Sequence, residues 1–220
     1  MERLLWCLAV VVAVSGCVTP RQRYAALAEE SLKARTLEEA FKAPRLFRVK
    51  VGREIKLSLD KEDDLLLTSD EASSHSYYVS YYRTYAFEAV AGQSYTLTVK
   101  SGCDCLGFQK LTPVPDVYVV NDEGTLVSRL LQPPRQEEIN GELVGKWEFA
   151  AEKTGPYFLV LAVDNSDPGR IVGTVVAYDP HIGKIELPLQ ASIAGSMAFQ
   201  INAVGPVKAV IGEERSGPLR

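Results

Sequence analysis

Residues 76–100 read SYYVSYYRTYAFEAVAGQSYTLTVK, two runs of alternating side chains that meet at a glycine. A period of two is typical of a half-buried β-strand, and tyrosine, valine and threonine all favour strands. The connection Ala91-Gly92-Gln93 is short, and glycine supplies the positive φ that a tight turn needs. We therefore predict strands at 76–90 and 94–100, joined by a turn.

The first of these strands has two faces, because successive side chains of a strand point in opposite directions. The face that we expect to lie in the core carries Val79, Tyr81, Tyr85 and Phe87. The other face, which we expect to be solvated, carries Ser76, Tyr78, Ser80, Tyr82 and Thr84. Exposed tyrosines can stack on a sugar ring or hold a peptide, because they combine apolar area with a hydroxyl. Tyr78, Tyr82 and Trp147 are therefore the candidate ligand face; the alternative is a structural use, in cross-strand packing for the tyrosines and in the core for Trp147.

The rest of the body follows the same pattern, with turn signals about every ten residues from Arg45 onward. This pattern predicts a mainly β chain: an antiparallel β-sandwich, jelly-roll-like, with a short N-terminal helical segment. The sandwich domain is expected at 45–181. Its further predicted strands are 46–51, 54–59, 116–121, 126–131, 145–150, 155–163 and 171–178, with a surface loop at 133–138.

The region after the sandwich, residues 182–220, is rich in alanine, isoleucine, valine and glycine and alternates poorly. We expect it to add two edge strands, at 184–189 and 198–203. Pro188 and Pro206 would limit further pairing there, because proline cannot donate to a strand ladder. The last residues, 213–220, are expected to fray.

Three pairs of short segments resemble a known family. They are YAF at 85–87 with AGQSYTL at 91–97, DVYV at 116–119 with DEGTLV at 122–127, and WEF at 147–149 with TGPYFLV at 154–160. Their content and order resemble the bacterial pre-peptidase C-terminal domains, β-sandwich modules of proteases and other exported proteins. The resemblance covers residues 84–178 and implies a fold rather than an activity. The chain departs from the family in carrying no peptidase, in its Cys103 to Cys105 loop and in continuing past Tyr178.

The N-terminus contains a short apolar run, residues 4–14, preceded by the basic Arg3. This length is typical of a signal peptide and is too short to span a bilayer. The run ends in Val14-Ser15-Gly16-Cys17, which resembles the bacterial lipoprotein signal. The resemblance implies removal of residues 1–16, lipid on Cys17 and, since Val18 rather than aspartate follows, an outer-membrane location facing the periplasm. The alternative is an ordinary secretory signal with an incidental cysteine.

Residues 17–44 form the region between the anchor and the sandwich, and 21–42 consists almost wholly of good helix formers. Thr36-Leu37-Glu38-Glu39 has the form of a capping box, which would restart a helix at Leu37. We predict two short helices or one that bends, ending before Pro44. The segment could act as a stalk, pack on the domain or bind a partner.

Two cysteines remain once the signal peptide and the lipid anchor are set aside. Cys103 and Cys105 lie two residues apart in a glycine-flanked loop. An oxidising compartment favours a disulfide between them. Free thiols, and a redox or metal role, are the alternatives; a catalytic dithiol would more often be a C-x-x-C pair at a helix start.

Several classes of function find no support in the sequence. The net charge of −4 and a pI near 5.4 give no basic surface for nucleic acid. The two histidines, His75 and His181, have neither metal-ligand spacing nor the arrangement of a catalytic triad. Acidic clusters near Asp60, Asp122 and Asp164 lack the spacing of a calcium loop. We expect no catalytic residues, no metal and no cofactor.

The leading hypothesis is a lipid-anchored, non-enzymatic envelope protein whose sandwich recognises a glycan, a peptide or a protein. The alternative is an accessory or scaffold lipoprotein of an envelope secretion, transport or assembly complex. In that case residues 21–42 and a sheet edge would dock its protein partners. Redox or hydrolytic catalysis through Cys103 or His75 is a third, weaker hypothesis.

Overall fold

The computed structural model describes residues 18–32, 34–42, 46–70, 76–105, 110–131, 137–139 and 142–206. Two short helices precede the strands: α1 (Pro20–Ala28) and α2 (Leu37–Phe41). The strands of the first half are β1 (Leu46–Arg48), β2 (Glu54–Leu59), β3 (Asp64–Asp70), β4 (Ser76–Ala89), β5 (Gln93–Ser101), β6 (Lys110–Pro113) and β7 (Pro115–Asn121). Those of the second half are β8 (Leu126–Leu131), β9 (Glu137–Ile139), β10 (Glu142–Ala150), β11 (Gly155–Val163), β12 (Ile171–Asp179), β13 (Gly183–Ser192) and β14 (Gly195–Pro206).

The strands form three sheets. The first sheet has the order β1-β4-β11-β7-β8, with β3 also paired to β4, and the second has the order β2-β14-β5-β10-β9. These two sheets enclose the main core and form the predicted β-sandwich. A third, smaller sheet has the order β12-β13-β6. Pairing is antiparallel except between β1 and β4 and between β13 and β6.

The main core confirms the predicted inner face of β4, since Val79, Tyr81, Tyr85 and Phe87 are all buried in it. Facing them from the second sheet are side chains of β5, β10 and β14, including Leu97 and Phe199. The turn between β4 and β5 contains Gly92 at a φ of +75°, as the sequence predicts. The alternation of side chains along β4 therefore predicted correctly which of its faces packs against the second sheet.

The C-terminal strand corrects one prediction. Residues 198–203 were expected at a sheet edge, but β14 lies between β2 and β5 in the second sheet. Met197, Phe199 and Ile201 point into the core. The residues between them, such as Ala198, Gln200 and Asn202, have small or amide side chains. The alternation between apolar and polar residues is therefore weak in the sequence. The sandwich therefore continues to residue 206 and does not end at 181.

Three strands were not predicted, and each lacks clear alternation. In β3, Leu65 is buried in the main core, whereas the next residue, Leu66, is buried on the opposite face of the first sheet. β6 has only four residues, and β9 pairs with β10 where the sequence predicts the end of a loop. Residues 133–136 of that loop lie outside the described residues, as do the predicted signal peptide, Cys17 and His75.

The helical segment forms two helices that pack on the sandwich, so it is not a free stalk. Thr19 caps α1 by accepting a hydrogen bond from the Gln22 N–H, at 3.3 Å between N and Oγ1. Leu27 of α1 is buried in the main core. Thr36 caps α2 in the same way, which confirms the predicted helix start at Leu37. Among the described residues, no helix is long and apolar enough to cross a bilayer.

Candidate functional site

The tyrosine face of β4 is covered, which corrects the prediction that it is solvated. Tyr78 and Tyr82 are each only 3% exposed, and Ser80 and Thr84 are buried beside them. Burial raises the pKa of Tyr82 to about 12. Neither tyrosine can meet a ligand in this structure.

The cover comes from the N-terminal segment. Ala34 bridges to Leu66 of β3, and its N–H donates to the Leu65 carbonyl at 3.0 Å. Ala40 and Phe41 of α2 pack on the same outer face, and the Ala40 carbonyl accepts a hydrogen bond from the Thr84 hydroxyl at 3.1 Å. Tyr82 therefore forms part of a second core between the first sheet and residues 34–41. Tyr78 is buried as well, with its hydroxyl donating to Asp116.

Trp147 is also unavailable for binding. It lies on β10 opposite Leu97 of β5, and it is buried at 4% exposure in the main core. Of the two roles that the sequence allowed for Trp147, the structure therefore shows the core role. The three residues of the candidate ligand face are not brought together, since Trp147 lies on the second sheet and the tyrosines lie on the first.

The most unusual chemistry of the covered face is a buried carboxylate, Asp116 of β7. Its Oδ2 accepts hydrogen bonds from the hydroxyls of Tyr78, at 2.7 Å, and Tyr118, at 2.6 Å. The Arg129 Nη2 lies 3.8 Å from the same oxygen, and the guanidinium carbon lies 4.9 Å from the centre of the Tyr118 ring. The Asp116 Oδ1 has no hydrogen-bond partner among the described residues. We call Tyr78, Asp116, Tyr118 and Arg129 the Asp116 cluster.

The environment of Asp116 favours its protonated form. Complete burial raises the pKa of Asp116 to about 6, although the hydrogen bonds from Tyr118 and Tyr78 and the charge of Arg129 act in the opposite direction. The same burial, together with the charge of Asp116, raises the pKa of Tyr78 and of Tyr118. The cluster thus places a buried carboxylate beside a buried guanidinium, with side chains that are 0% and 7% exposed, and we interpret it as a structural core.

This raised pKa predicts that stability depends on pH through Asp116. The folded state binds the proton more tightly than the unfolded state, so stability is greatest below the ordinary pKa of 3.8 and is lost as the pH rises through about 6. The full shift corresponds to up to about 3 kcal/mol. The measurement is urea unfolding at a series of pH values for the wild type and for Asp116→Asn.

The difference in unfolding free energy between the two proteins should change between pH 4 and 6 and then level off. Asp164, whose pKa is lowered, acts in another window, because its contribution is lost only as the pH falls below its ordinary value of 3.8. A difference between wild type and Asp116→Asn that does not vary with pH would contradict the assignment.

A second polar group fixes the loop between β11 and β12. Asp164 accepts from the Ser166 hydroxyl at 2.6 Å and from the Arg170 guanidinium at 2.6 Å. The Asn165 amide donates to the Val79 carbonyl at 2.9 Å. Asp164 is thereby engaged by the protein itself, and the described residues contain no cluster of three or more His, Cys, Asp or Glu side chains that could hold a metal.

The structure joins Cys103 and Cys105 in a disulfide, with 5.2 Å between their Cα atoms. On one side the Gly102 N–H donates to the Ser196 carbonyl at 2.8 Å, and on the other Asp104 pairs with Leu111. No helix begins at either cysteine in the described part of the chain. The pair therefore fastens a loop against β6 and β14.

This disulfide loop forms one wall of a groove of about 800 Å³. Another wall is formed by α1, through Gln22, Arg23 and Ala26, and by Glu30 just after the end of that helix. The floor is apolar and includes Leu27, Leu59, Tyr81, Leu111 and Ile193. Charged side chains, among them Asp60, Lys61 and Asp104, stand around the floor. We call this the α1 groove; it could not be predicted from local sequence patterns, because its walls come from separate segments.

His181 does not line this groove. His181 lies on an exposed turn between β12 and β13, away from the residues that line the α1 groove, and His75 falls outside the described residues. Among the described residues, the groove therefore combines apolar surface with carboxylate, ammonium, guanidinium and amide groups but no imidazole or thiol.

Two facing sheets, a helix-covered outer face and a lateral groove define a β-sandwich protein. No protein-family model matches the chain, and no curated protein matches it. Solved structures with some likeness include the pre-peptidase C-terminal domain of a Bacillus anthracis collagenase. It is 11% identical, the alignment covers 71% of this chain and 94% of that one, and the TM-score is 0.34.

Two further solved structures show a similar degree of likeness. Salmonella Typhimurium PliG, a periplasmic inhibitor of g-type lysozyme, is 15% identical over 72% of this chain and 99% of that one, with a TM-score of 0.29. Methylococcus capsulatus MopE, a secreted protein in which an oxidized tryptophan facilitates copper binding, is 11% identical over 74% and 88%, with a TM-score of 0.35. Likeness at these identities and TM-scores does not establish a family for this chain, so membership in the pre-peptidase C-terminal family stays a prediction.

Proposed function

We propose that this chain is a lipid-anchored envelope protein that binds a glycan or a peptide, without catalysis, in the α1 groove. The α1 groove is the observation that carries the proposal. Its volume of about 800 Å³ lies in the range typical of ligand sites. It replaces the tyrosine face as the candidate site, because that face is buried.

The chemistry of the groove suits a ligand with both apolar and polar parts. Its floor is built from side chains of the main core, such as Leu27 and Leu59, and is therefore rigid. The rim carries both signs of charge, with Arg23 and Lys61 against Glu30 and Asp60. Sugar rings and peptides both offer apolar faces next to hydrogen-bonding groups, so either class fits this lining.

The location of the groove supports an anchored role. Val18 lines it, and the preceding residue in the sequence is Cys17, the candidate site of lipid attachment. An anchor at Cys17 would hold the groove next to the membrane surface. Mass spectrometry of the N-terminal peptide tests this part of the proposal, and an unmodified Cys17 in the mature protein would refute it.

A pair of matched variants tests the groove. Ala25 and Ala26 are both exposed on α1, but only Ala26 lines the groove. Ala26→Trp should fill the groove and weaken binding about tenfold or more, which corresponds to about 1.4 kcal/mol. Ala25→Trp should leave binding unchanged, because it places the same side chain outside the groove. Binding is measured on a glycan array and on a peptide array.

Equal binding by the two variants would show that the ligand binds elsewhere. Absence of any wild-type signal on both arrays would refute glycan and peptide binding, and it would favour the accessory role. That role cannot be tested by deleting residues 21–42, because Leu27 and Phe41 are part of the two cores. Pull-down with the intact chain, from solubilised membranes, is the suitable measurement for the accessory role.

A further inference from the structure

The hairpin formed by β12 and β13 exposes an unusual amount of apolar surface. Tyr178 is 80% exposed, Ile182 is 75% exposed and Ile171 is 70% exposed, the three largest values among the large hydrophobic side chains that the structure describes. Val176 adds a fourth, at 58%. Single exposed apolar residues are ordinary, but four within twelve consecutive residues mark a contact surface.

The register of the hairpin shows what surrounds these side chains. Val176 pairs with Glu186 and Tyr178 pairs with Lys184. These two apolar side chains and these two charged side chains therefore lie on one face of the hairpin. The Lys184 ammonium lies 2.7 Å from the Glu186 carboxylate. The charges on this face are therefore paired with each other, and the face presents an aromatic ring and aliphatic groups with no net charge.

The start of the hairpin lies close to the first described residues of the chain, which are held there by contacts with the loop before β12. Arg21 contacts the loop just before β12, with its Nη2 3.1 Å from Asp167 Oδ1 and its Nε 3.3 Å from the Pro168 carbonyl. Pro20 packs beside Gly169, two residues before Ile171. Val18, which is also exposed, follows Cys17 directly. The proposed lipid attachment site and the base of the hairpin are thus at the same end of the molecule.

We propose that the exposed face of the β12–β13 hairpin rests on the lipid bilayer to which Cys17 is attached. This inference rests on the lipid anchor of the proposed function. The hairpin extends for about 30 Å from its base, given nine residues at about 3.4 Å each. In the proposed orientation it lies along the membrane surface, with its apolar residues at the level of the headgroups.

The composition of the face favours a lipid surface over a protein partner. Tyrosine is enriched at the membrane interface, because its ring is apolar and its hydroxyl stays in contact with water. Isoleucine and valine enter the boundary of the acyl chains at no electrostatic cost. Attachment at Cys17 also raises the local concentration of lipid next to the base of the hairpin, which makes even a weak contact persistent.

Fluorescence quenching in vesicles tests this orientation. The lipidated chain is reconstituted into vesicles of phosphatidylethanolamine and phosphatidylglycerol that contain a doxyl-labelled lipid, and an NBD fluorophore is attached through Val176→Cys or Val90→Cys. The two positions are matched, at 58% and 57% exposed, but Val90 follows β4 at the end remote from Val79, which contacts α1. We expect quenching at position 176 to exceed quenching at position 90 by about twofold or more, because quenching requires entry into the headgroup and acyl boundary.

Flotation of the vesicles is measured first and separates the two proposals. If the protein does not float with the vesicles, the anchor fails, and the orientation that depends on it fails as well. If it floats but both positions are quenched equally, the anchor stands and the hairpin contact is refuted. Cross-linking of two copies through position 176 without quenching would also refute it, since β12 would then pair with another chain.

Discussion

Asp116→Ala is expected to destabilise the fold by about 3–5 kcal/mol, the range for removing one partner of a buried ion pair. Asp116 is fully buried, and its Oδ2 is shared by the Tyr78 hydroxyl, the Tyr118 hydroxyl and the Arg129 guanidinium. Alanine removes that shared acceptor and leaves these three polar groups in the covered face. Since domains are stable by only about 5–15 kcal/mol, a loss of this size should be visible as a large shift of the urea midpoint.

Two variants serve as comparisons for Asp116→Ala. Asp116→Asn keeps an oxygen for the tyrosine hydroxyls but removes the charge opposite Arg129, so its effect should be intermediate. Asp122→Ala, on the exposed turn after β7, should change the free energy of unfolding by less than about 0.5 kcal/mol. If Asp116→Ala cost no more than Asp122→Ala, the Asp116 cluster would have no structural importance.

Trp147→Ala is expected to cost about 3–5 kcal/mol, because it leaves a cavity between the two facing sheets. Trp147→Phe should cost less than about 1.5 kcal/mol, since it keeps most of the apolar volume. It also removes an indole N–H that has no partner among the described residues. Both values are measured by urea unfolding, with the m-value as a check that the transition stays two-state.

The same pair of variants separates a core role for Trp147 from a ligand-contact role. A ligand-contact residue would lose binding in both variants with little change in stability, whereas a core residue shows the graded loss of stability just described. Equal stability of Trp147→Ala and Trp147→Phe would contradict the packing of Trp147 in the main core between the two sheets.

Local periodicity predicted those parts of the fold that depend on neighbours along the chain. The inner face of β4 and the helix start at Leu37 are of this kind, because alternation and a capping residue act within a few positions. The outer face of β4 depends instead on residues 34–41, which lie far earlier in the sequence. One signal was available: Tyr78, Ser80, Tyr82 and Thr84 are all uncharged, whereas a solvated face normally carries charges.

The candidate site was harder to predict for the same physical reason. The α1 groove combines α1, the turn after β2, the disulfide loop and the turn before β14, and no local pattern links these segments. The partners of Asp116 likewise come from β4, β7 and β8. A buried carboxylate between Pro115 and Val117 has the same local sequence as a carboxylate at an exposed strand end, so the Asp116 cluster could not be found from sequence alone.

The place of β14 has a consequence for how the chain acquires its structure. This strand, the last one among the described residues, pairs with β2 on one side and with β5 on the other, so Gln200 pairs with Glu54 and Ile201 pairs with Leu97. Such distant pairings are slow to form, because the entropy of closing a long loop is lost before any contact is gained. The second sheet can therefore close only after residues 195–206 have been synthesised, so we expect its closure to be a late step in folding.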